Sequence, residues 1–80
     1  MNFEEIYRKY FNDVFLYICR LSGDEQIAQE ITSDTFFKAM SSIKKFRGDC
    51  DVRVWLCQIA KNNYYTFLKK KINMTSIENI

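Results

Sequence analysis

The apolar residues of the first block of the chain fall at Phe3, Ile6, Tyr7, Tyr10, Phe11, Val14, Phe15, Ile18 and Leu21. Intervals of three and four place them on one continuous stripe of a helix, with Glu4, Glu5, Arg8, Lys9, Asn12 and Asp13 on the other side. Asn2 is suited to cap the start of this helix, and Ser22-Gly23 to end it. A second helix is expected from Asp24 or just before it, where Asp24 and Glu25 complement the positive end of the helix dipole. Its inward positions are Ala28, Ile31, Thr32, Thr35, Phe36, Ala39, Met40 and Ile43. Phe37 falls off that stripe and shares a partly exposed flank with Glu30, Ser33, Asp34 and Lys38. An aromatic ring beside acid suits a docking surface, although single exposed hydrophobes are ordinary.

The segment Lys44-Lys45-Phe46-Arg47-Gly48-Asp49-Cys50-Asp51 is short, charged and built around a glycine, which predicts a structured loop. Helical spacing resumes near Val52 with Trp55, Leu56, Ile59, Ala60, Asn63, Tyr64, Phe67 and Leu68. It closes on Lys69-Lys70-Lys71, where positive charge favours a helix C-terminus. Residues 73–80 lose the periodicity and read as a frayed tail or the start of a linker. The expected fold is all-α: a compact bundle of three main helices with a structured loop before the third, its domain covering residues 1–72.

Composition narrows the function more than the fold. A chain of 80 residues, 48% hydrophobic and 16% aromatic, has room and material for one small core. Three cysteines without CxxC spacing, and no histidine, argue against a zinc site and suit reduced thiols in the cytoplasm. No apolar run approaches the roughly 18 residues of a membrane span, so no direct membrane contact is expected. The acidic start, Met1-Asn2-Phe3-Glu4-Glu5, is unlike a secretory signal. No catalytic residue, metal or cofactor is expected, because the usual nucleophile–base pairings and phosphate loops are missing.

Charge is unevenly placed. Residues 1–43 carry four bases against seven acids, a net −3, and residues 44–80 carry eight bases against three acids, a net +5. Two surfaces with different partners follow, the basic one a nucleic-acid candidate. The third helix interleaves Arg53, Lys61 and Lys69–Lys71 with Trp55, Tyr64, Tyr65 and Phe67, and the loop adds Lys44, Lys45 and Arg47. Cations that neutralise phosphates and rings that stack unpaired bases suit such a partner. Trp55 and Phe67 also lie in phase with the core, and a lysine run can serve only to solubilise a helix end. Composition leaves both readings open.

Two motifs go further. Gly23-Asp24…Ala28-Gln29-Glu30-Ile31-Thr32-Ser33-Asp34-Thr35-Phe36-Phe37-Lys38-Ala39 resembles the GD…AEDLTQETFLRA pattern of extracytoplasmic-function sigma factors of bacterial RNA polymerase. Phe46-Arg47-Gly48-Asp49…Trp55-Leu56…Ile59-Ala60-Lys61-Asn62 resembles their FRGD…WL…IARN pattern, in the same order and spacing. The resemblance spans about residues 3–71 and corresponds to region 2 of these factors.

The resemblance implies a transcription initiation domain. Its second helix would dock on the beta-prime clamp helices of core RNA polymerase, with Glu30, Ser33, Asp34 and Phe37 on the matching flank. Phe46, Arg47, Gly48, Asp49, Cys50 and Asn62 match the neighbourhood that holds a flipped non-template base of the minus-ten promoter element. Lys45, Arg53 and Lys61 would add positive charge for phosphates. Family members are commonly held by an anti-sigma factor and carry a further helix-turn-helix domain, which is not expected within these 80 residues. Two positions depart from the pattern: Ser33 stands where glutamine is usual, and Thr66 where aspartate is common. The rival readings are a duplex-binding helical repressor and a protein-interaction bundle.

Overall fold

Each helix opens on a side-chain oxygen that replaces a missing carbonyl partner. Asn2 Oδ1 accepts from the Glu4 N–H at 2.9 Å, and Asp24 Oδ1 accepts from Gln26 and Ile27 at 2.8 and 3.1 Å. Asp51 Oδ1 accepts from the Arg53 N–H at 2.7 Å. Such a cap contributes about 1 kcal/mol. They start α1 (Phe3–Ser22), α2 (Glu25–Ser42) and α3 (Val52–Glu78) in a computed structural model of the chain. The structure describes residues 2–48 and 50–78, with side chains through residue 72. All three elements are helices, joined by short connections as the hydrophobic period predicts.

Gly23 ends α1 in the left-handed region at φ 70°, its N–H donating to the Cys19 carbonyl at 2.8 Å. After α2 the chain tightens into a 3₁₀ turn over Ile43–Lys45, closed by the Phe46 N–H on the Ile43 carbonyl at 3.1 Å. Gly48 then turns the loop at φ 78°. The ring of Phe46 is half-buried and packs on Trp55, with centroids 4.8 Å apart, which pins the loop to the start of α3.

The core draws on all three helices. Ile6, Tyr10, Val14 and Ile18 of α1 are buried at a strict spacing of four, against Ala28, Ile31, Phe36 and Ala39 of α2 and Leu56 and Ala60 of α3. Burying an Ile or Leu side chain of this kind contributes roughly 1.5–3 kcal/mol. Phe36 gathers the rings of Phe3, Tyr7 and Phe11 at centroid distances of 6.3, 5.1 and 5.5 Å.

The apolar stripe is wider than the face that is buried. Tyr7 and Leu21 are exposed, and Met40, expected inside, is 52% exposed. Met40 stands about 40° further round the α2 axis than Phe36, which already marks the edge of the buried arc.

Polar groups enter the core at the α2–α3 contact. Lys38 Nζ donates to Asn63 Oδ1 at 2.6 Å, Asn63 Nδ2 donates to Thr35 Oγ1 at 3.2 Å, and Thr35 Oγ1 donates to the Ile31 carbonyl at 2.7 Å. Thr32 Oγ1 is buried without a hydrogen-bond partner.

Helix α3 continues to Glu78, past the Lys69–Lys71 closure and into the stretch read from sequence as a frayed tail. No glycine or proline follows Gly48 to stop it, and a backbone helix needs no apolar stripe to persist. At about 1.5 Å per residue α3 is roughly 40 Å long against about 30 Å for α1. The molecule is accordingly elongated, 49 × 23 × 18 Å.

Candidate nucleic-acid and partner surfaces

Helix α2 is anchored by its buried face, and this fixes what its opposite face presents. Glu30, Ser33, Asp34 and Phe37 are all exposed and lie within an arc of about 100° turned away from the core. Phe37 is 69% exposed, the largest value for a large hydrophobic side chain among the described residues. One side of this ridge is apolar, where Ser33 and Phe37 border Phe3, Tyr7, Phe36 and Met40. The other side is polar: Glu30 and Asp34 face Lys38, Asn63, Thr66 and Lys70 across a cleft of about 230 Å³ between α2 and α3. On the α3 wall of this cleft Asn63, Thr66, Phe67 and Lys70 stand with no acid among them.

The basic half divides into parts that the sequence had grouped together. Lys45, Arg47, Gly48 and Cys50 are exposed in the loop, whereas Phe46 is drawn inward onto Trp55. Phe46 therefore anchors the loop, and its neighbours are left free to meet a ligand. Asp49 lies outside the described residues.

On α3, Arg53, Lys61 and Asn62 are all exposed, yet they do not share one face. Asn62 is about 180° round the helix axis from Arg53 and only about 20° from Trp55, on the side where the loop is pinned. Arg53 instead turns toward α1, where its Nε lies 3.8 Å from Asp13 Oδ2. Both partners are well exposed, so this pair contributes little to stability. Lys61 stands between these directions, its ammonium 5.9 Å from the centroid of the Tyr65 ring.

A groove between α1 and α3 was not apparent from the spacing of residues. Tyr17 and Cys57 line it with Arg53, and Arg20 closes one end. Burial pushes the Cys57 thiol up from its ordinary value, Arg53 pulls it the other way, and Asp13 adds to the rise. A thiol so placed is protonated at neutral pH and is a poor nucleophile. Among the described residues no group of three or more His, Cys, Asp or Glu is placed to hold a metal ion. No described helix is long and apolar enough to cross a membrane.

Two further residues escaped the reading of the sequence as parts of a site. Asp51 is the cap of α3 rather than only a loop charge. Asn63, in phase with Leu56 and Ala60, is the buried amide that joins Lys38 to Thr35. A polar residue inside an otherwise apolar period was the available signal.

Comparison with known proteins places this arrangement. The family model for sigma-70 region 2 matches residues 6–72. The chain is 29% identical over 69 residues to the RNA polymerase sigma factor YlaC of Bacillus subtilis, covering 86% of this chain and 40% of that protein. It is 30% identical over 70 residues to the ECF RNA polymerase sigma factor SigM of the same organism, covering 88% and 42%. To the RNA polymerase sigma-H factor of Pseudomonas aeruginosa it is 35% identical over 60 residues, covering 75% and 31%. The chain thus spans about two-fifths or less of the length of these curated relatives. No solved structure gives a significant match.

Proposed function

The chain belongs to the sigma-70 region 2 family, and we propose that it acts as a transcription initiation module with two working surfaces. The outer ridge of α2 docks on core RNA polymerase at the beta-prime clamp helices. The loop and α3 recognise the minus-ten promoter element, melt it and hold a flipped base of its non-template strand. An anti-sigma factor that covers one of these surfaces completes the set of partners. No chemical reaction is assigned to the module.

The observation that carries this reading is the separation of charge onto different elements. Glu30 and Asp34 sit on the α2 ridge beside the exposed Phe37 ring. Helix α3 has no acidic residue from Val52 to Ile77 and carries five bases. Charge-assisted hydrogen bonds from a basic partner suit the first surface, and phosphates suit the second. Extracting a base costs a few kcal/mol of stacking and pairing. Phosphate contacts from Arg47, Lys45 and Lys61, with a loop pinned by Phe46, offset that cost without a large reorganisation. The family match, the α2 ridge and the acid-free stretch of α3 from Val52 to Ile77 support this reading together.

Fluorescence polarisation of labelled non-template minus-ten oligonucleotides, single-stranded and duplex, with and without core polymerase, tests it. The expected result is a preference for one single strand, strengthened by polymerase. Asp34→Arg should weaken polymerase binding by tenfold or more, about 1.4 kcal/mol or above, and leave DNA binding nearly unchanged. Asn62→Ala should do the reverse. Duplex bound as tightly as single strand would point to a repressor, and no DNA binding in any arm to a protein-interaction bundle. If Asp34→Arg left polymerase binding intact, the docking ridge would be misassigned.

A further inference from the structure

One face of α3 is unused by the core and only partly used by the surfaces described above. Gln58, Lys61, Asn62, Tyr65 and Lys69 are all exposed and fall within an arc of about 100°. Tyr65 lies near the middle of that arc and is 45% exposed. Lys61 and Lys69 stand one turn before and one turn after it, so the ring is bracketed by two cations over about 12 Å of helix. The ring also has an aromatic neighbour. Tyr64 lies 6.0 Å from it, and is itself half-buried and stacked with Phe67 at an interplanar angle of 17°.

We propose that Tyr65, bracketed by Lys61 and Lys69, is a stacking platform for one unpaired base of single-stranded DNA, separate from the base held by the loop. The inference rests on reading α3 as a nucleic-acid surface and extends that surface by one nucleotide beyond Asn62. A single half-exposed ring is ordinary on a protein surface, and what distinguishes Tyr65 is the pair of cations that brackets it. A strand gains both a π-face and two phosphate partners. Asn62 precedes Tyr65 by three residues, so the two side chains are neighbours on the helix surface and a strand passing one meets the other. The acid-free sequence from Val52 to Ile77 selects a polyanion over an acidic-and-basic protein surface. Stacking of this kind tolerates any base, since every base has a π-face. The platform therefore adds affinity and register without adding to the sequence that is read.

The test uses the whole chain and a fluorescein-labelled single-stranded oligonucleotide, read by anisotropy at about 50 and 200 mM salt. Tyr65→Ala is expected to weaken binding about fivefold or more, and Tyr65→Phe, which keeps the ring, to stay within about twofold. Walking one abasic nucleotide along the strand locates the partner base: at one position the penalty of Tyr65→Ala should vanish. At that same position 5-iodouracil should photocrosslink to Tyr65 in the unsubstituted chain, a readout that does not depend on the variant folding. Equal binding by Tyr65→Ala, a penalty that persists at every abasic position, or a crosslink that maps elsewhere would each overturn the platform. A chain that binds no single strand at all would overturn the nucleic-acid reading of α3 beneath it.

Discussion

At the scale of single residues, the informative positions are those where a polar atom sits among apolar ones. Thr35 and Thr32 are both fully buried on α2, yet only Thr35 returns its hydroxyl to the carbonyl one turn back. The Thr32 hydroxyl is buried without compensation, which costs more than leaving a methyl group there. Thr32→Val keeps the shape and removes the orphaned oxygen. It should stabilise the fold by about 1 kcal/mol, a rise in Tm of roughly 4–8 °C for a domain of this size. A circular-dichroism melt checks this, and an unchanged or lower Tm would show that the hydroxyl is no burden. Little in the sequence distinguishes the two threonines. They have the same side chain on the same stripe, and what separates them in the fold is that Thr35 meets Asn63 of α3.

At the scale of elements, the helices and their starts were legible and the contacts between them were not. Asn2 and Asp24 announce α1 and α2, and the four-residue spacing from Ile6 to Ile18 identifies the buried face of α1. Local chemistry decides such features, so local sequence reveals them. The link from Lys38 to Asn63 spans 25 positions and depends on how α2 and α3 are rotated against each other, which no periodicity states. The packing of α3 on α1 likewise turns Arg53 toward Asp13 and Asn62 away from it, dividing a group of polar and basic residues that looks uniform along the chain. The amide of Asn63 serves both Lys38 and Thr35. Asn63→Ala should cost roughly 1–3 kcal/mol in urea unfolding because two partners lose their bond. A cycle with Lys38→Met should show coupling of about 0.5 kcal/mol or more. Strict additivity would mean that the two side chains meet without holding the helices together.

At the scale of the whole molecule, the division between a net −3 first part and a net +5 second part becomes a prediction about salt. If three to five of Lys45, Arg47, Arg53, Lys61 and Lys69 neutralise phosphates of a single strand, log K should fall against log salt with a slope of roughly −2 to −3.5. Lys61→Gln should make that slope shallower by about 0.7. A titration series in potassium chloride measures both, and a slope near zero would remove phosphate contact as the source of affinity. The candidate ridge on α2 was legible as a charged flank with an odd aromatic. Its apolar border of Phe3, Tyr7 and Met40 was not, because those residues come from two helices and from positions expected inside.

The two corners of the chain carry a consequence of another kind. At Gly23 and Gly48 the backbone is left-handed, and no heavy atom beyond the two flanking residues lies within 4 Å of the place a Cβ would occupy. Bulk is therefore admissible at both corners, and what is refused is chirality. An L-residue there meets its own carbonyl, at a cost of roughly 1–2 kcal/mol, whereas its mirror image would fit the same backbone without that conflict. The sequence at these points is constrained by the handedness of the amino-acid alphabet and not by the space the fold leaves open.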